Sequence, residues 1–300
     1  MSKPPFLTLP DGVRAHRLVT SRGRFAVHDT GGGAAGTALL LPGFTGSKED
    51  FIGLLAPLAA AGLRVVAVDG RGQFETGGPR EESAYHLTEL ARDVHAVAAA
   101  LDAGAGTPGG VHLLGHSLGG LVARTAVLQD AAPFASLTLM SSGPGAVSDS
   151  QQERVRLLLG AMETMSLAAI WEVMQQLDQS VGSAGQAPYS PQEAAETSAA
   201  MEEFLRRRWL SNVPEQLTVT GRHLLSEPDR VAELAALPLP FHVVSGSEDD
   251  AWPVPWLDAM ARRLGARRTV VPGTGHSPNA ERPGATAEAL AAFWLSLCPG

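Results

Sequence analysis

The sequence predicts an α/β fold: a mostly parallel, doubly wound sheet of about eight strands with an inserted helical cap. Three observations predict it. Short apolar runs alternate with amphipathic helical periods between residues 37 and 147 and again after 237, the pattern of strand–helix–strand crossovers. The interval 148–236 carries helical periodicity and no convincing buried strand. Finally, Val111 to Gly120 reads as an apolar strand, a sharp turn holding one serine, and the start of a helix.

Taken in order, residues from about Val13 to His28 alternate polar and apolar and are broken by Ser21-Arg22-Gly23, which predicts a two-stranded hairpin. Gly31-Gly32-Gly33-Ala34-Ala35-Gly36 matches the spacing of a dinucleotide fingerprint, but it precedes a strand instead of following one and opening a helix. It is read as a connection. Thr37 to Leu41 is the strand that follows. Leu41-Pro42-Gly43-Phe44-Thr45-Gly46-Ser47 then turns into a helix, with Asp50 placed as in a capping box. The glycines let this backbone turn closely, which makes the Phe44 N–H a candidate donor to an oxyanion. Phe51, Leu54, Leu55, Leu58 and Ala59 share one helical face, ended by Gly62, and Arg64 to Val68 is a buried strand. The polar, glycine-rich loop from Gly70 to Pro79 has no assigned role. Leu87, Leu90, Ala91, Val94, Val97, Ala98 and Leu101 form the next amphipathic helix. Leu137 to Met140, Phe241 to Gly246 and Arg268 to Val271 complete the strands, and a helix from Thr286 to Leu297 ends the pattern.

These boundaries divide the chain into a core, 1–147 with 237–300, and a helical cap or lid, 148–236. Within the cap, Ser190-Pro191-Gln192-Glu193 has a helix-start signature. Met162, Met165, Trp171, Met174, Met201 and Trp209 are expected mostly as its own core.

With 300 residues, 44% of them hydrophobic and 18% charged, the chain has room for a large core. A net charge of -8 argues against non-specific nucleic-acid binding, which needs a basic face. The one basic run, Arg206-Arg207-Arg208, is expected to be a solvated helix face. The single cysteine, Cys298, excludes an intrachain disulfide. Met1 to Pro5 leads into no signal-like apolar region, and no stretch approaches the ~20 apolar residues of a membrane span. The expectation is a soluble, cytoplasmic protein.

The chemistry centres on Gly115-His116-Ser117-Leu118-Gly119, a G-x-S-x-G turn. A serine on a tight strand-to-helix turn is forced into a strained backbone conformation, and side chains two residues to either side would collide. Glycine is therefore wanted at both places. The serine hydroxyl then stands at a helix N-terminus, where the Leu118 N–H and the helix dipole can meet a developing negative charge. Such a serine needs a base, and the base needs an orienting carboxylate. Of nine histidines, His276 alone lies in a loop just past the last strand, on the edge where the serine turn emerges in a parallel sheet. The acid should leave another strand end, and Glu248, Asp249 and Asp250 all follow the strand ending at Gly246.

Together, Pro42-Gly43-Phe44, Asp69-Gly70-Arg71-Gly72, Gly115-His116-Ser117-Leu118-Gly119-Gly120, Gly246-x-x-Asp249 and Gly275-His276-Ser277-Pro278 resemble the α/β-hydrolase superfamily, in its branch with a helical cap. The resemblance implies Asp249 as the acid and the Phe44 and Leu118 N–H groups as oxyanion donors. Two departures stand out. Pro42-Gly43 replaces a common His-Gly, so the bracing of the oxyanion loop is unaccounted for. Gly72-Gln73-Phe74-Glu75-Thr76 replaces the usual G-x-G-x-S.

The expected activity is hydrolysis of a carboxylic ester or related acyl bond in a small or medium apolar substrate, by Ser117, His276 and Asp249 through an acyl-enzyme. No metal or organic cofactor is implied. A serine in the elbow, where an aspartate would be needed, argues against epoxide hydrolase or dehalogenase chemistry. Trp252 and Trp171 are candidate substrate contacts. The alternatives are a thioesterase, a non-hydrolytic lyase or peroxidase-type enzyme on the same fold, and a binding module.

Overall fold

Strands in the middle of a parallel sheet are covered by helices on both faces, so their residues are buried on either side. In the computed structural model, which describes residues 2–105, 110–181 and 191–297, every residue of Thr37–Leu41, Val111–His116 and Phe241–Gly246 is buried. The elements run β1 (Arg14–Thr20), β2 (Gly23–Asp29), β3 (Thr37–Leu41), α1 (Ile52–Ala60), β4 (Arg64–Val68), α2 (Leu87–Ala105), β5 (Val111–His116), α3 (Leu118–Gln129) and β6 (Phe134–Met140). Five helices follow: α4 (Asp149–Met162), α5 (Leu167–Val181), α6 (Pro191–Leu210), α7 (Pro214–Ser226) and α8 (Val231–Ala235). The chain then returns to the sheet with β7 (Phe241–Gly246), α9 (Val254–Leu264), β8 (Arg267–Val271), α10 (Pro278–Glu281) and α11 (Pro283–Trp294).

The sheet has eight strands in the order β1-β2-β4-β3-β5-β6-β7-β8. β2 is antiparallel to both its neighbours, and the other pairs are parallel. Successive side chains of a strand point to opposite faces, and the two helical layers divide accordingly. Leu39 and Leu41 of β3 pack toward α2 and α3, with Leu90, Val94 and Leu121. Ala38 and Leu40 pack toward α1 and α11, with Leu54, Leu55, Leu290 and Trp294. Each such side chain, fully buried, contributes roughly 1.5–3 kcal/mol.

After β3 the chain winds outward to β4, then crosses back over β3 to form β5. This topological switch opens a crevice at the carboxyl ends of β3 and β5. There Leu41 stands opposite Gly115, so the loop after β3 and the serine turn after β5 are neighbours.

Between β6 and β7 the described residues hold no strand. Met162, Met165, Trp171 and Met174 pack around Trp209 and Leu217, and Met201 packs with Phe74 and Phe204. The last helix of the block, α8, lies on α3 and α9, and its Val231 and Leu234 join the core under the sheet. Ser190 and Cys298 lie outside the described residues. No helix among the described residues is long and apolar enough to cross a membrane.

The basic run departs from expectation. Arg206 and Arg207 are exposed, but Arg208 is fully buried, 2.7 Å from the equally buried Asp50. Helical geometry explains the split: three consecutive residues cannot share one face, and Arg208 falls on the side of Phe204, which turns inward. Its guanidinium also donates to the Ser2 carbonyl, while the Asp50 carbonyl accepts from Asn279 Nδ2 at 2.7 Å. The ion pair thus ties α6 to the segment after β3, and the Asp50 carbonyl ties that segment in turn to α10. Removing one partner of such a pair strands a buried charge. Arg208→Met is expected to lose about 3–5 kcal/mol in urea unfolding; a loss below about 0.5 kcal/mol would show the pair to be dispensable.

Candidate active site

The serine turn forms because β5 must end and α3 must begin within one residue. Ser117 takes φ 55, a left-handed conformation rare for a residue with a side chain. Its N–H is held by the Met140 carbonyl at 3.0 Å and its C=O by the Gly120 N–H at 2.9 Å. The flanking glycines are sterically required. A Cβ on Gly115 would lie 2.2 Å from the Gly119 carbonyl oxygen, and one on Gly119 would lie 2.4 Å from that of Leu41. The loop after β3 passes directly over the serine: a Cβ on Gly43 would come 3.2 Å from the Ser117 Cβ.

The three candidate side chains meet. His276 Nε2 is 3.0 Å from Ser117 Oγ, and His276 Nδ1 is 2.9 Å from Asp249 Oδ1. The chemistry of the partners fixes the protons. A carboxylate only accepts, so Nδ1 of a neutral His276 carries the hydrogen. Nε2 then presents a lone pair to the serine hydroxyl, which donates to it. Asp250 points elsewhere, accepting from Gln151 Nε2 at 2.8 Å, and Glu248 is exposed. Burial of Asp249 acts to push its carboxyl up. The bond and charge of His276, the nearby Ser141 hydroxyl and the Ala251 N–H outweigh burial and hold it below the usual carboxylate range.

Several supports around His276 had no signal in the sequence. Glu281 of α10 accepts from the Gly275 N–H at 2.7 Å with one carboxylate oxygen and from the Ser277 N–H at 2.9 Å with the other. It clamps the histidine's loop from both sides. His116 lies against His276: its Nε2–H donates to the His276 carbonyl at 2.9 Å. Burial pushes the His116 ring down to about 4, so it stays neutral in this role.

A cavity of about 410 Å³ opens at Ser117 and His276. Phe44 lines it together with Arg154 and Val155 of α4 and Leu224 of α7, so the helical block faces the carboxyl edge of the sheet. Neither expected tryptophan lines it. Trp252 is fully buried, its indole N–H donates to the Gly145 and Ala146 carbonyls, and its ring lies 6.2 Å from that of His276. Trp171 is sequestered with Trp209 and Ile170. Both are buried among other side chains and do not line the cavity. Among the described residues, no group of three or more His, Cys, Asp or Glu side chains is arranged to hold a metal ion.

Residues 38–289 match the model of the alpha/beta hydrolase family, and the chain belongs to that family. Along 97% of its length it is 24% identical to a putative 2-succinyl-6-hydroxy-2,4-cyclohexadiene-1-carboxylate synthase of Bacillus subtilis, covering 98% of that protein. A shorter match, 39% identical over 116 residues, covers 38% of this chain and 41% of a putative carbamate hydrolase, RutD, of Variovorax paradoxus. The chain therefore matches less than half of that relative. Among solved structures, a thermophilic esterase from Thermogutta terrifontis shares the fold with a TM-score of 0.72 at 21% identity, over 95% of this chain and 100% of that one. An esterase from Exiguobacterium antarcticum gives 0.73 at 18% identity, over 94% and 99%.

Because a methyl group at Gly115 would meet backbone on the other side of the turn, the elbow has no flexible neighbour to yield. Gly115→Ala is expected to cost at least about 1–3 kcal/mol, seen as an earlier thermal transition. An unchanged transition would contradict the close packing of the turn.

Proposed function

We propose that the protein is a serine hydrolase that cleaves a carboxylic ester, or a related acyl bond, of a small or medium substrate by two-step acyl transfer. The observation that carries this reading is the continuous hydrogen-bond path Asp249–His276–Ser117, ending at a cavity. Ser117 Oγ attacks the acyl carbonyl while His276 Nε2 takes its proton. Asp249 keeps the ring in the required tautomer and stabilises the imidazolium that forms. The Phe44 and Leu118 N–H groups receive the oxyanion, each worth ~3–4 kcal/mol in the transition state. His276 passes its proton to the leaving group, then draws one from the water that attacks the acyl-enzyme, and returns it to Ser117 Oγ as the acyl–oxygen bond breaks and the acid departs.

The helical segment 148–236 acts as the cap, with α4 and α7 excluding water and shaping the acyl or alcohol subsite. The cavity's mixture of Phe44, Val155 and Leu224 with Arg154 and Gln151 fits a substrate with an apolar body and a polar end. A thioester could be opened by the same groups. A second reading, non-hydrolytic chemistry on the same fold, draws on one observation: the relative matched along nearly the whole chain bears the name of a synthase. The proposed setting is cytoplasmic.

Turnover of p-nitrophenyl esters of increasing chain length, run beside acyl-CoAs, tests the substrate class. Ser117→Ala is expected to abolish turnover and fluorophosphonate labelling with an unchanged melting transition; retained turnover refutes the assignment. Asp249→Asn, which no longer enforces the Nδ1–H tautomer, is expected to lower kcat by ~10⁴-fold. A loss below tenfold would remove Asp249 from the mechanism. Labelling of Ser117 without ester or thioester turnover would favour the non-hydrolytic reading.

A further inference from the structure

The loop Gly72-Gln73-Phe74-Glu75-Thr76, which follows β4, is buried where a surface loop would be solvated. Gln73, Phe74 and Thr76 are each no more than 5% exposed. Gln73 lies beside the oxyanion loop. Its Nε2 donates to the Gly43 carbonyl at 2.8 Å, and its Oε1 accepts from the Gly70 N–H at 3.1 Å. The two bonds fix which end of the amide faces which partner. Reversed, the oxygen would face a carbonyl and the NH₂ would face an N–H.

That contact bears on the oxyanion through the geometry of the peptide. The Gly43–Phe44 bond is trans, and in a planar trans peptide the C=O and the following N–H point in opposite directions. Holding the Gly43 carbonyl toward Gln73 therefore turns the Phe44 N–H the other way. Gly43 and Phe44 border the cavity together with Ser117. The Gly46 N–H also donates to the same carbonyl, at 3.1 Å, but that bond is internal to the loop and moves with it. Gln73 supplies an anchor from outside.

The anchor is itself well held. The Glu75 N–H donates to Asp69 Oδ2 at 3.2 Å, and the Glu75 carboxylate meets the buried Lys48 ammonium at 2.9 Å. The Gly72 carbonyl accepts from the Val213 N–H at 2.9 Å, joining the loop to the start of α7. Pro42, with no N–H and no polar side chain, can donate no hydrogen bond to this bracing.

We propose that Gln73 is a positioning residue for the reaction, orienting the Gly43–Phe44 peptide so that the Phe44 N–H meets the oxyanion. It acts through that peptide and does not touch substrate. The inference rests on the acyl-transfer reading above. A donor aimed at a charge that develops only as the tetrahedral intermediate forms contributes little to substrate binding, so its loss lowers kcat more than it raises KM.

The test compares the parent, Gln73→Leu and the near-isosteric Gln73→Glu on a p-nitrophenyl ester. Each is also titrated with a trifluoromethyl ketone, whose adduct with a serine carries the oxyanion. Both variants are expected to lose about 10–100-fold in kcat with KM within about twofold, and to lose ketone affinity in proportion. If Gln73→Leu does not fold, Gln73→Glu, which keeps the volume and puts an acceptor where the donor was, carries the comparison. Folded variants that keep the parent's kcat and ketone affinity overturn the proposal. So does a lowered melting temperature with unchanged ketone affinity, or a raised KM at constant kcat. The hydrolase reading is checked separately by Ser117→Ala: if it binds the ketone as well as the parent does, that reading fails and this inference falls with it. Ser117-dependent binding that the Gln73 variants leave intact sinks this inference alone.

Discussion

The site depends on one backbone constraint: Ser117 is held in a left-handed conformation, φ 55, between a buried strand and a buried helix. A residue with a Cβ pays roughly 1–3 kcal/mol to remain there and persists only when its surroundings over-determine it. Here they do. The Ser117 N–H is bonded to β6, its carbonyl to α3, and the flanking glycines leave no room for the turn to relax. The strain lifts the hydroxyl clear of the sheet, where His276 can reach it.

Around that fixed point, the remaining groups arrive from separate strand ends. The β3–β5 register brings Gly43 beside Ser117, and the β7–β8 pairing brings the Asp249 and His276 loops together. Loops alone would hold such an arrangement poorly. Glu281 spans the histidine's loop, the His116 imidazole supports its carbonyl, and Trp252 fills the space beside its ring. These contacts restrict His276 to the rotamer in which it bridges serine and carboxylate. Under the proposed acyl transfer, that is preorganisation, which lowers the reorganisation required as charge moves.

The helical block adds a second level of coupling. The Arg208–Asp50 ion pair joins α6 to the segment that follows the Pro42-Gly43-Phe44 loop, and Val213 joins α7 to the loop that carries Gln73. A shift of these helices would be felt by the backbone facing Ser117. Trp209 and Leu217, by contrast, hold the helices of the block to one another and to Phe44.

The local patterns were legible in the sequence by itself. Six short runs and one alternating hairpin marked the eight strands, the G-x-S-x-G spacing marked the elbow, and strand ends marked where His276 and an acid would emerge. Periodicity and turn chemistry act between residues close in the chain, so they leave a readable trace. Three adjacent acids left the carboxylate open on spacing alone, and only the packed loops bring Asp249, not Asp250, to the imidazole. The inward turn of Arg208, the bond from Gln73 to Gly43 and the withdrawal of Trp252 and Trp171 from the cavity depend on partners tens to hundreds of residues away, whereas the clamp by Glu281 spans only six and four residues. Their positions follow from close packing of the whole core, where side-chain shape and unpaired polar groups select among arrangements that a linear pattern leaves equivalent.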